Sequence, residues 1–288
     1  MYLGAIEAGG TKFVCAVADK EMTLIKRVSI PTSTPAKTME DVFGFFDGYP
    51  LLAIGIGSFG PIGTDKASPD YGHILSTPKP GWSGFDLLGE IKARYGVPVG
   101  WTTDVNASAL GEMEFGAAKG LDSALYLTVG TGIGGGAVIR GQVVEGLEMG
   151  HILLRKHALD GFGGVCPFHG SCLEGLASGP AIQSRYGLKG TDLGADHEAW
   201  DLEAYYLGQA LMNYVLTLNP KRIILGGGVM KQSQLFPKVR HELELLMQGY
   251  IPLPDLQKYV CPPLLGDDAG IKGALLLGAR ALDEVQNP

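Results

Sequence analysis

Apolar runs alternate along the chain with polar turns and with stretches of helical periodicity. Residues 2–6 form an apolar run, 8–10 a glycine turn and 13–18 a second apolar run, which predicts that the chain opens with a β-hairpin. Further strands are predicted at 52–56, 97–102, 124–129, 137–139 and 222–225. Helices are predicted at 85–95, at 106–115, and from the spacing of Leu207, Leu211, Tyr214 and Leu218 up to Asn219-Pro220. This alternation indicates an α/β fold with helices covering the sheets.

Two features refine the predicted organisation. Residues 68–83 hold three prolines with several glycines and serines, which predicts an irregular loop of functional length. The turns Gly10-Thr11 and Gly130-Thr131 each follow an apolar strand and lie 120 residues apart. This spacing hints at a duplicated domain, although the repeat covers only a few residues.

Composition and charge disfavour membrane-spanning, nucleic-acid-binding and secreted proteins. The 288 residues are 45% hydrophobic and 18% charged, yet no apolar stretch approaches the roughly 18 residues of a membrane helix. The net charge of −7 disfavours nonspecific binding to nucleic acid or anionic lipid. The N-terminus lacks a secretory signal pattern, so we expect a cytoplasmic protein. In a reducing compartment its four cysteines favour metal binding or free thiols over disulfides.

Three glycine-rich turns end predicted strands, at 7–12, 129–136 and 226–228. Glycine lets backbone N–H groups converge on phosphate oxygens, while a threonine hydroxyl and a lysine cation add donors. Each turn alone is better explained as a structural turn, but three at strand ends favour a nucleotide site. Gly130, Gly132 and Gly135 also satisfy the dinucleotide-binding pattern, but the following residues predict a β-hairpin where that motif needs a helix. The Walker motif is absent from the sequence.

Asp104 follows the strand at 97–102 and precedes a helix. A carboxylate there can take a proton from an alcohol, which is the general-base role in phosphoryl transfer. Aspartate is also a preferred N-cap residue, and spacing alone favours the cap.

A cluster of metal-ligand residues is the most specific local pattern. His151 is followed by Cys166, His169 and Cys172, and two thiolates with two imidazoles suit tetrahedral Zn²⁺. Four protein ligands leave no open position, so we expect a structural site. Glu148, His151 and Glu174 flank it and can hydrogen-bond a polyhydroxylated ligand, although the acids can also be simply solvated.

The motifs together resemble the ROK family (repressors, open reading frames and kinases), and within it the zinc-dependent bacterial fructokinases. The resemblance covers essentially the whole chain. It rests on the segments 7–13, 55–61, 77–82, 103–107, 130–136, 148–151, 166–174, 178–180 and 226–228.

The resemblance implies an actin-like, ribonuclease-H-like ATPase fold with two α/β lobes around a cleft that binds ATP. The lobes are expected at 1–114 plus 270–288 and at 115–269. The implied activity is phosphorylation of fructose to fructose 6-phosphate, with ATP, Mg²⁺ and structural Zn²⁺ as cofactors and a homodimer as the assembly. Asp104 is implied as the general base. The implied sugar-binding residues are Glu148, His151, Glu174, Gly60 and Thr103. The implied ATP-binding residues are Gly10, Thr11, Lys12, Thr131, Gly132, Gly179, Gly227 and Gly228.

The chain departs from the family pattern in four places. Glu7 replaces a common Asp, Thr103 replaces a common Asn, His169 replaces a Cys of the zinc loop, and the segment 145–148 is shorter than in close relatives. A kinase for mannose, glucose or another hexose and a noncatalytic sugar sensor remain alternatives. A ROK repressor is disfavoured because we expect no room for a DNA-binding segment before the first strand.

Overall fold

The computed structural model describes residues 1–287. The chain forms two compact units, each assembled from separate stretches of sequence. Unit 1 comprises Met1–Lys119, Val143–Gly146 and the chain from Asp267 onwards, and unit 2 comprises Gly120–Gln142 and Leu147–Gly266.

The elements follow in chain order. The strands are β1 (Tyr2–Ala8), β2 (Lys12–Ala18), β3 (Leu24–Pro31), β4 (Leu51–Ser58), β5 (Val99–Thr103), β6 (Ala124–Val129), β7 (Ile133–Ile139), β8 (Gln142–Val144), β9 (Ile223–Gly226) and β10 (Val260–Cys261). The α-helices are α1 (Pro35–Phe46), α2 (Leu87–Tyr95), α3 (Asp104–Phe115), α4 (Leu173–Ala177), α5 (Gly179–Tyr186), α6 (Ala199–Leu218), α7 (Leu235–Met247), α8 (Leu256–Tyr259) and α9 (Ala269–Gln286). Every strand and helix predicted from the sequence is present, with small shifts at the ends.

The sheet of unit 1 has the order β3-β2-β1-β4-β5. The first two strands form the predicted antiparallel hairpin, whereas β1, β4 and β5 run parallel. Side chains alternate across β1: Leu3 and Ala5 pack against α9, and Ile6 and Ala8 belong to the larger core on the opposite face. Both faces are therefore covered, which explains why the strand is apolar almost throughout.

The second sheet has the order β10-β9-β6-β7-β8, which repeats the order of the first. Here too an antiparallel pair, β6 and β7, is followed by the parallel strands β9 and β10. The repeat that the two Gly-Thr turns hinted at is thus visible in the topology. The predicted hairpin after Gly130 is β7 and β8, so the glycine pattern there does not open a helix. The predicted stop of α6 is also present, with Asn219 in the left-handed conformation at its C-cap.

The part of the chain that the structure describes contains no helix with both the length and the apolar character of a membrane span.

Candidate functional site

The predicted site residues of unit 1 meet at one edge of its sheet. In the pairing of the parallel strands, Ala8 lies opposite Ser58, and Ser58 lies opposite Thr103. The carboxyl ends of β1, β4 and β5 therefore coincide. The residues at and after these ends are brought to this edge, and the predicted ones among them are Gly10, Thr11, Lys12, Gly60, Thr103 and Asp104.

The first glycine turn is held by backbone and hydroxyl hydrogen bonds. Gly9 N donates to the Lys12 carbonyl at 3.0 Å, and the Thr32 hydroxyl donates to the Gly9 carbonyl at 2.7 Å. Thr32 N also donates to the Thr11 carbonyl at 3.0 Å. The side chains of Thr11 and Lys12 remain exposed on this fixed turn, where they can donate to an anion.

Asp104 is the first residue of α3, and the structure corrects the prediction that it is the N-cap. Thr103 occupies that position, and its hydroxyl accepts a hydrogen bond from Asn106 N at 3.2 Å. Asp104 Oδ1 accepts from Val105 N at 2.9 Å. Because Thr103 caps the helix, the carboxylate of Asp104 is not needed for that purpose.

Glu145, which the sequence did not single out, hydrogen-bonds to residues on both sides of Asp104. Glu145 Oε1 accepts from the Thr102 hydroxyl at 2.8 Å, and Glu145 Oε2 accepts from Asn106 Nδ2 at 3.3 Å. Asn106 Nδ2 also donates to the Thr102 hydroxyl at 3.1 Å, which closes the network. Partial desolvation raises the pKa of Glu145, while the hydrogen bonds from Thr102 and Asn106 oppose that rise. The network links the short segment Val143–Gly146, which belongs to unit 1, to the start of α3.

In unit 2, glycines of three separate segments converge. Gly179 N donates to the Gly130 carbonyl at 2.7 Å, and the pairing of Thr128 with Gly226 places the turn after β9 beside the turn after β6. Gly227 has φ +90°, and a Cβ there would lie 2.4 Å from the Val129 carbonyl oxygen. Only glycine permits this approach.

These turns border a cavity of about 410 Å³ in unit 2. It is lined by Gly130, Thr131, Gly179, Pro180, Gln183, Lys189, Gly190, Thr191, Trp200, Gly228, Val229 and Gln232. Thr131, Gly179 and Gly228 were predicted to bind ATP, and two further predicted residues, Gly132 and Gly227, are adjacent in sequence but do not line it. Sequence reasoning missed the walls formed by Trp200 and Gln232, because nothing in their local sequence marks them.

The candidate sugar-binding residues of unit 2 also come together. Glu174 Oε2 accepts from Ile133 N at 2.9 Å, which fixes its carboxylate beside the second glycine turn. The pKa of Glu148 is raised, chiefly by desolvation and further by the charge of Glu174, while His151 lowers it. The backbone between Glu148 and His151 is held in place, since the Tyr214 hydroxyl donates to the Met149 carbonyl at 2.6 Å.

The four predicted metal ligands form one cluster. One ligand atom from each of His151, Cys166, His169 and Cys172 lies within 4.8 Å of all the others. Cys166 Sγ is 3.7 Å from Nδ1 of both histidines, and Cys172 Sγ is 3.5 Å from His151 Nδ1. A tetrahedral zinc ion with ordinary Zn–S and Zn–N bonds separates sulfur from nitrogen by about 3.5 Å. The donor set and its spacing therefore fit zinc.

The electrostatics of the cluster agree with that fit. Burial raises the pKa of the Cys172 thiol to about 11. A thiolate at this position therefore needs a cation beside it, and a bound zinc ion supplies that charge. Because His151 faces both cysteines through Nδ1, its Nε2 remains for another partner.

The chain is similar to known proteins over almost its whole length. The sequence profile of the ROK family matches residues 3–281. The chain is 46% identical to a fructokinase of Pediococcus pentosaceus, covering 98% of this chain and 99% of that protein. It is 42% identical to a fructokinase of Streptococcus mutans, covering 97% and 96%. A crystal structure of a ROK hexokinase from Thermus thermophilus is 29% identical, with a TM-score of 0.81 and full coverage of both chains. The actin-like α/β fold expected from the sequence is confirmed.

Proposed function

Because the chain belongs to the ROK family, we propose that it transfers the γ-phosphoryl group of ATP to the 6-hydroxyl of fructose. The observation that carries this proposal is the similarity to fructokinases over almost the full length of both partners. The three glycine turns, the carboxylate at the start of α3 and the acidic pair near the cysteine cluster are the parts that such a reaction requires.

Asp104 is the proposed general base. Its carboxylate takes the proton from the sugar hydroxyl while the hydroxyl oxygen bonds to the γ-phosphorus. The bond from that phosphorus to the bridging oxygen breaks, and ADP leaves with the electron pair. The place of Asp104 supports this role, because it is the first residue of α3, directly after Thr103, which caps the helix.

The backbone and side chains of Gly10, Thr11 and Lys12 are proposed to hold phosphate oxygens in unit 1. In unit 2 the same role falls to Thr131 and Gly132, and the adenosine lies against Gly179, Gly227 and Gly228. Magnesium bound with ATP would neutralise part of the charge on the phosphate oxygens.

Glu7, just before the first glycine turn, is a carboxylate that would suit a magnesium ion there. Desolvation raises its pKa, Arg27 and Lys12 lower it, and Asp267 and Asp268 raise it further. A cation would therefore relieve a locally unfavourable charge, and carboxylate oxygens are suitable magnesium ligands.

Sugar binding is proposed for Glu148, His151 and Glu174, together with Gly60 and Thr103. Carboxylates accept hydrogen bonds from sugar hydroxyls, and His151 can use Nε2 for the sugar while Nδ1 faces the cysteines. Structural zinc at His151, Cys166, His169 and Cys172 would hold this loop in shape. We further propose that the protein acts in the cytoplasm and that it is a homodimer. Light scattering of the purified protein tests the homodimer directly.

The test of the function is ADP release with ATP and Mg²⁺ against fructose, mannose, glucose and N-acetylmannosamine. We expect fructose to give the highest kcat/KM. Asp104→Asn should lower kcat by about 10²- to 10⁴-fold with sugar binding retained, because only the proton acceptor is lost. A higher kcat/KM with another hexose would reassign the substrate. Sugar binding without turnover in the wild-type protein would indicate a sensor.

A further inference from the structure

Lys79 lies directly on the first glycine turn. An ideal Cβ on Gly10 would be 3.3 Å from Lys79 Cε, so the side chain of Lys79 packs against Gly10. The side chain of Lys79 is half-buried. Within residues 1–287 no carboxylate lies at ion-pair distance from its ammonium group. A partly buried cation thus lies against the candidate phosphate turn without a carboxylate partner among the described residues.

A tight turn holds the backbone of Lys79. Trp82 N donates to the Lys79 carbonyl at 3.1 Å, with Pro80 and Gly81 between them. Gly81 has φ +78°, which together with the preceding proline is typical of a type II turn. Lys79 is therefore the first residue of a turn whose shape its sequence dictates.

Trp82 anchors this turn in the core of unit 1. Its side chain is fully buried, and its indole N–H donates to the Ser33 carbonyl at 2.7 Å. Its ring lies 5.2 Å from that of Phe13, which follows the glycine turn, and 5.9 Å from that of Phe59, which precedes Gly60. The anchor thus binds to the same sheet edge that carries the candidate phosphate and sugar residues.

The nearby charges point to the role of Lys79. Arg27 is engaged by Asp268 and by the Asp267 carbonyl, so it is not available to a phosphate. Lys12 is exposed on the turn itself, and Lys79 lies against Gly10 of that turn. This turn and Asp104 lie at the same edge of the sheet of unit 1.

We propose that Lys79 is a catalytic residue that binds the terminal phosphoryl group of ATP and stabilises its charge during transfer. The inference rests on the proposed function. The lysine keeps its proton throughout, while the sugar oxygen bonds to phosphorus and the electron pair of the broken bond goes to ADP. Positioned cations of this kind supply much of the acceleration in phosphoryl transfer.

Lys79→Met tests the proposal, because methionine retains the apolar cover over Gly10 but removes the charge. We expect kcat with fructose to fall about 10²- to 10³-fold. Affinity for a nonhydrolysable ATP analogue should fall about tenfold, whereas that for ADP should change by less than about threefold. Lys79→Arg should recover part of the activity, and Lys66→Met, at an exposed lysine of the same unit, should behave as wild type.

Two results would overturn the proposal. One is a kcat of Lys79→Met within threefold of the Lys66→Met control. The other is an equal loss of affinity for ADP and for the ATP analogue together with a lower melting temperature, which would assign Lys79 a structural role. If wild-type protein leaves fructose unphosphorylated, the proposed function fails. The difference between ADP and analogue binding still decides whether Lys79 contacts the terminal phosphate.

Discussion

Replacement of Glu145 by alanine is the sharpest test of the network beside Asp104. The carboxylate accepts one hydrogen bond from the Thr102 hydroxyl and one from the Asn106 amide. Thr102 and Asn106 are only 1% and 3% exposed, so water replaces the lost acceptor poorly. The substitution therefore leaves two buried donors with fewer partners and releases segment 143–146 from α3.

The size of the effect follows from these contacts. A buried donor without an acceptor costs about 1–3 kcal/mol. The bond from Asn106 to the Thr102 hydroxyl survives, so we expect about 1–2 kcal/mol for the whole network rather than the full cost of both donors. For a chain of this size that lowers the melting temperature by about 2–3 °C. We also expect kcat to fall about tenfold, because Asp104 lies between the two residues that lose their acceptor.

Differential scanning fluorimetry and ADP release, measured on the same preparations, check this prediction. Glu145→Gln is the matched variant, since its amide oxygen still accepts from Asn106 and only the contact with Thr102 is impaired. We expect its melting temperature and kcat to lie between those of wild type and Glu145→Ala. Unchanged melting temperature and unchanged kcat for Glu145→Ala would refute the reasoning.

Two further predictions concern unit 2. Chelation of zinc, or Cys172→Ser, should lower the melting temperature by about 5 °C or more and reduce sugar binding. Calorimetry measures both effects, and metal analysis confirms the loss of zinc. Full activity of metal-free protein with Mg²⁺ restored would contradict this prediction. Glu203→Met should raise the free energy of unfolding by at least about 1 kcal/mol at pH 8 and by less at pH 5. Denaturant unfolding at the two pH values measures the difference.

The sign of the Glu203 effect follows from its surroundings. The carboxyl is fully buried, and among the described residues neither oxygen has a hydrogen-bond partner. Desolvation raises its pKa well above the ordinary value, and Arg185 opposes this only in part. The folded state therefore binds a proton that the unfolded state releases, and stability is lost as pH rises from the ordinary glutamate pKa towards the folded one. A lower stability of Glu203→Met at both pH values would show that the carboxyl is stabilising.

The sequence by itself determined most of the framework. Apolar periodicity was sufficient for most strands and for α2, α3 and α6, because burial on one or both faces requires those patterns, whereas β3, β10 and the other helices that the structure describes were not predicted. The ligand types and close spacing of Cys166, His169 and Cys172 predicted the cluster, because three donors within seven residues need only one bent loop. The glycine turns were recognisable because phosphate binding and tight turning both require the absence of a side chain.

Tertiary structure decided the contacts between residues distant in sequence. Spacing alone favoured Asp104 as a cap, whereas the ladder of β5 ends at Thr103 and gives the cap to that residue. Glu145 meets Thr102, and Lys79 meets Gly10, only because parallel strands align their carboxyl ends and a buried Trp82 fixes the turn beside them. Local sequence carries no signal for such pairs, since their free energy arises from packing and desolvation that exist only once the chain has folded.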